Sequence, residues 1–147
     1  MIRHSTILLI ALVCFAAFAC QKQAERLEQT VARADDMVII STLRNLSSAQ
    51  NAYNLSTGSY GTFTELVESG YLDARFNSDK PVVREYVLMM TVTQKTSDTP
   101  NGAYSCNANP QRAGAGSGRY FYIDSNSSII RVNATQPASA TDEILQP

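Results

Sequence analysis

The side chains that could do chemistry are few in this 147-residue chain, and their spacing brings no set of them together. The single histidine is His4, close to the start. The rest of the chain therefore lacks the commonest general base and metal ligand. Three cysteines stand at Cys14, Cys20 and Cys106. Cys14 lies in an apolar run and Cys20 ends it, so Cys106 is left alone and no internal disulfide framework can be drawn. Cys106 reads as a half-buried strand residue, with a reactive thiol or an intermolecular pair as the alternatives. Asp35 and Asp36 are adjacent carboxylates, but neighbours on a helix point about 100° apart. They read as a solvated charge pair. Glu65 is accounted for by a helix cap and Asp124 by a turn. Glycines at 114, 116 and 118 alternate as in a phosphate loop, yet a strand follows them where a helix with a lysine is required. No catalytic set, metal cluster or cofactor site is expected. The net charge of −1 leaves no basic footprint for nucleic acid.

The element that must organise the rest is a helix over residues 31–53. Ile39, Leu43, Leu46 and Tyr53 recur at spacings of four, three and seven, with Val31 and Ala49 flanking the stripe. That period lays one apolar face along the helix. Arg33, Asp36, Arg44, Asn51 and Asn54 are assigned to the opposite side. Such a face must be buried, and the strand-rich sequence between 84 and 133 is its expected partner.

Upstream, residues 1–20 combine Arg3, an apolar run over 7–19 and a small-residue exit. The run is shorter than the about 20 residues of a spanning helix. The pattern is that of a secretory signal or a membrane anchor. Ala17-Phe18-Ala19-Cys20 resembles a bacterial lipobox, which makes Cys20 the candidate for lipidation. Residues 21–36 are polar and mixed in charge, with no Gly or Pro, and read as a helical spacer running into the stripe.

Downstream, Gly58 supplies a left-handed helix stop. Thr62 with Glu65 three residues on is a capping box, opening a short helix with Phe63, Leu66 and Val67 inward and Gly70 at its end. Residues 74–83 read as a connecting loop. The best strand covers 85–93, where Tyr86, Leu88, Met90 and Val92 alternate with Val87, Met89, Thr91 and Thr93. A turn over 98–102, a weaker strand over 103–108, a glycine-rich loop over 110–118 and strands over 119–123 and 129–133 follow. Residues 134–147 read as a loosely held tail. Helices first and strands after argue an α+β fold, with one long helix on about four antiparallel strands.

Three stretches, in their order and spacing, resemble the type IV pilin and type II secretion pseudopilin family. Ser41-Thr42-Leu43-Arg44-Asn45-Leu46-Ser47-Ser48-Ala49-Gln50-Asn51-Ala52-Tyr53 is similar to the end of that family's spine helix. Gly58-Ser59-Tyr60-Gly61-Thr62-Phe63-Thr64-Glu65-Leu66 with Gly70-Tyr71-Leu72-Asp73 resembles its short-helix loop. Arg119-Tyr120-Phe121-Tyr122-Ile123-Asp124 with Ile129-Ile130-Arg131 resembles its closing hairpin. The likeness covers about residues 34–133. It implies a spine helix packed on a small antiparallel sheet, a non-enzymatic role through protein contacts, and the cell envelope as location. The N-terminus departs from the family: no Gly marks a cut site, and Leu8 stands where the family has Glu. A lipoprotein-like signal occupies the place of the usual leader.

The expected organisation is a signal or anchor over 1–20, a spacer over 21–36, a pilin-like head over 37–133 and a tail over 134–147. The expected partners are a membrane, reached through the N-terminal segment or a lipid, and other envelope, pilus or secretion proteins. Tyr120 and Tyr122 share one side of their strand, with Phe121 on the other. They either line an exposed contact surface or pack under a loop. A lipid-anchored periplasmic binding module with the same fold and no filament role is the second expectation.

Overall fold

A computed structural model of the chain describes residues 2–97, 100, 102–112 and 118–146, with side chains at 23 and from 26 onward. The side chain of Cys20, the glycines at 114 and 116, and most of the turn over 98–102 lie outside the described residues. Helix α1 runs Ile2–Thr57 without a break, 56 residues or about 84 Å. No Gly or Pro interrupts it, and Gly58 at φ 78° ends it, its amide bonding the Asn54 carbonyl at 2.7 Å. Helix α2, Phe63–Glu68, opens with both halves of the expected capping box, since Thr62 Oγ1 accepts from the Glu65 amide and Glu65 Oε2 accepts from the Thr62 amide. It buries Phe63 and Leu66, and Gly70 at φ 77° follows its end.

The strands are β1 Val82–Val83, β2 Tyr86–Thr93, β3 Ala103–Pro110, β4 Tyr120–Asp124, β5 Arg131–Asn133 and β6 Glu143–Ile144. They form one antiparallel sheet in sequential order. The α+β class is as expected, but the sheet has six strands and not about four. Both additions come from stretches read as irregular. β1 enters through a tight hairpin whose turn holds Arg84 at φ 55°, a conformation usually given to Asn or Gly, so no turn signal announced it. β6 comes from the segment read as a loose tail, and pairs Arg131 with Ile144 and Val132 with Glu143.

Pairing sets the two faces. Leu88 lies opposite Ala108, Cys106 opposite Ile123, and Ala108 opposite Phe121. Directly paired residues share a face. That face, with Tyr86 and Tyr104, packs on Ile39, Leu43 and Leu46 of α1 and on Phe63 and Leu66 of α2. Ile39, Leu43 and Leu46 are buried as expected, each burial stabilising by about 1.5–3 kcal/mol. Tyr53 is only half-buried at the margin of this core, where its ring meets Tyr71 edge-on with centroids 5.9 Å apart. Cys106 is fully buried, and burial pushes its thiol up to about 12, which leaves it protonated and inert at neutral pH.

One buried polar residue ties the end of α1 to the loop after it. Gln50 Nε2 donates to the Gly61 carbonyl at 2.6 Å, and its Oε1 accepts from the Gly61 amide at 3.0 Å. The side chain thus replaces a strand partner for one residue of backbone. A Cβ at Gly61 would lie 2.9 Å from the Tyr53 ring, so any larger residue there has to displace that ring. Gln50→Ala removes both bonds and leaves the Gly61 N–H and C=O unpaired. We expect a loss of about 2 kcal/mol. A urea midpoint equal to that of the parent chain would contradict the clamp.

Candidate contact surface

Three features outside the core could meet other molecules, and each follows from where α1 is seated. The first is the exposed length of the helix. Leu27 and Val31 are 64% and 58% exposed, and Met37 is 72% exposed. The sheet covers α1 only from Asp36 onward, the first fully buried position of the described helix. Among the described side chains, Leu27 and Val31 before it stay exposed.

The second feature is the junction itself. Asp36 was assigned to the polar side of the helix and to a solvated pair with Asp35, and the structure corrects both. Asp36 is 5% exposed. Its Oδ2 accepts from Arg119 Nε at 2.9 Å, and its Oδ1 takes the Tyr86 hydroxyl at 2.5 Å. The same hydroxyl lies 2.9 Å from the Arg119 carbonyl, but its one proton goes to the carboxylate, the stronger acceptor. Burial, and then the bond to Asp36, push the Tyr86 phenol well above its ordinary range. The Arg119 guanidinium also lies over the Phe121 ring, 5.4 Å from its centre. The chain reaches this cluster through Gly118, where a Cβ would meet the Tyr86 hydroxyl oxygen at 1.9 Å. The glycine here serves close approach, not phosphate binding. Asp36, Ile39, Leu43, Leu46 and Gln50 are spaced three, four, three and four apart. Spacing alone therefore put Asp36 and Gln50 on the buried stripe, and their polarity hid them.

The third feature is the outer face of the sheet. Tyr122 lies opposite Asn107 on one side and Arg131 on the other, and Tyr120 lies opposite Asn133. Phe121, on the opposite face, is fully buried in the core. Both tyrosines are half-buried and not freely exposed. The segment after β5 reaches this face. Asn107 Nδ2 donates to the Ala138 carbonyl at 2.6 Å, and Ala138 is 4% exposed. The chain therefore leaves β5, folds back across the tyrosine face to Asn107, and returns to form β6. Asn133 holds both ends of this loop: its Oδ1 accepts from the Thr135 and Gln136 amides, and its Nδ2 donates to Asp142 Oδ1 at 2.8 Å. Arg131 Nη1 donates to the Asp142 carbonyl at 2.8 Å. Burial holds the Tyr122 phenol above its ordinary range. Hydrogen bonds from Ser139 and then Asn133 hold the Asp142 carboxyl below its own range. They favour its ionised form, so their contribution is complete above the usual carboxylate range and fades as pH falls through the lowered value.

Asp36 and Arg119 are the only opposite charges brought together on a buried site among the described residues. Glu65 serves its cap, and Asp124 Oδ1 accepts from the Asn126 and Ser127 amides in its turn. Among the described residues, no group of three or more His, Cys, Asp or Glu could hold a metal ion. Among them, too, no helix is long and apolar enough to cross a membrane. Comparison with models of protein families, with curated proteins and with solved structures finds no match for this chain.

Proposed function

We propose that this is a non-enzymatic, pilin-like protein of the bacterial cell envelope, a minor component of a type IV pilus or type II secretion machinery that acts through protein–protein contacts. The observation that carries the reading is the division of α1. One continuous helix of 56 residues meets the sheet from Asp36 onward and leaves Leu27 and Val31 exposed before that point. A helix whose polar residues from Gln23 are interleaved with uncovered apolar ones is suited to spacing a head from a membrane and to meeting a neighbouring helix. The outer face with Tyr120 and Tyr122 is the second contact surface in this reading, since tyrosines combine apolar area with a hydrogen-bonding tip.

Ala17-Phe18-Ala19-Cys20 favours a second reading, a lipid-anchored periplasmic module with the same head and no filament role. The intact mass of the protein, taken from the membranes of its host, separates the two. A mass that retains residues 7–19 is expected for the pilin-like reading, because the spine must stay whole. A mass beginning at Cys20 with acyl groups added would replace that reading with the lipoprotein.

A further inference from the structure

The segment after β5 is attached differently from the rest of the head. Its ladder to β5 is two residue pairs long. Only Ala138 is fully buried within it, and Leu145 is half-buried against the core, its amide bonding the Ile130 carbonyl at 2.9 Å. The remaining ties are polar, and most of them are half-buried. They are Asn107 to Ala138, Asn133 and Ser139 to the Asp142 carboxylate, and Arg131 to the Asp142 carbonyl. The apolar core, by contrast, lies on the opposite face of the sheet, between β2, β3, β4 and the two helices. Lifting the segment would uncover Tyr120, Tyr122 and Asn107 and would withdraw only Leu145 from the margin of that core. Segments with a short ladder and little buried apolar area open at low free energy, ahead of the global transition. A surface loop of this length whose ends meet, here at Asn133 and Asp142, forms a compact unit of its own.

We propose that residues 134–146 are a strap that opens and closes over the Tyr120/Tyr122 face while the helix and strands β2 to β4 stay folded, so that access to this face is set by the strap. The gating role rests on the reading of that face as a contact surface; the opening itself does not. A strap in place restricts access to the tyrosines, and the fraction of open molecules scales the apparent affinity for anything that needs the whole face.

Hydrogen exchange on the full-length protein tests the opening. The amides of Thr135, Gln136, Ser139 and Leu145 all have partners in the closed form. After correction for intrinsic rates we expect them to exchange at least a hundredfold faster than the ladder amides of β2 and β3. Equal protection in the two groups would overturn the proposal, since the strap would then open only with the whole head. Asn133→Ala removes the hold on both ends of the loop. It is expected to speed strap exchange tenfold or more, to leave β2 and β3 unchanged, and to raise the rate at which tetranitromethane nitrates Tyr122. Acceleration of strap and sheet together would likewise overturn it, as would unchanged nitration of Tyr122 in a variant whose strap exchanges faster. None of these readouts needs a partner, so failure to find one would count against the contact reading and leave the strap in place.

Discussion

Leu46→Asp unfolds the head. Leu46 is 1% exposed, on the buried face of α1 between Leu43 and the sheet. The substitution removes burial worth about 1.5–3 kcal/mol. It also places a carboxylate in the apolar cluster that includes Phe63, Leu88 and Phe121, which costs several kcal/mol more even if the group protonates. A domain of this size is stable by about 5–15 kcal/mol, so the two losses together consume most of the margin. The expected result is loss of the near-ultraviolet tyrosine signal at room temperature, with Tyr86 and Tyr104 released from the core. Leu27→Asp is the control. At 64% exposure it should leave the melting temperature of the head within a degree or two. An unchanged melting temperature in Leu46→Asp would refute the packing of helix on sheet.

Asp36→Ala should destabilise the head by about 3 kcal/mol, and Asp35→Ala by no more than about 0.5 kcal/mol. The two carboxylates are neighbours in the chain and look alike there. In the fold, Asp36 is 5% exposed and holds the Arg119 guanidinium and the Tyr86 hydroxyl, whereas Asp35 is half-exposed. Removing the Asp36 carboxylate leaves a buried hydroxyl and a cation without their acceptor. The loss is smaller than for a fully buried pair, because the Arg119 side chain is 46% exposed and water can take over part of its solvation. Tyr86 also keeps the Arg119 carbonyl within 2.9 Å. Urea unfolding of both variants at neutral pH checks the contrast. Equal, small shifts in the two midpoints would mean that the junction between helix and sheet does not depend on this cluster.

The same contrast marks what could be read before the fold was known. The period of Ile39, Leu43 and Leu46, the Thr62 and Glu65 box, the stops at Gly58 and Gly70, and the alternation in β2 and β4 are local signals. Each rests on the few residues around it, and each is found where the spacing placed it. The sequence by itself therefore determined the two α-helices, the main strands and the α+β order. What it did not reveal depends on residues far apart in the chain. Asp36 is buried because Tyr86 and Arg119, 50 and 83 residues away, supply its partners. Gln50 is buried because a loop folds back to meet it. The tail becomes a strap and a sixth strand because Asn107, Asn133 and Arg131 hold it, and its own composition carries no sign of them. A polar side chain looks exposed until a partner removes the cost of burying it, and only the tertiary structure decides where that partner stands.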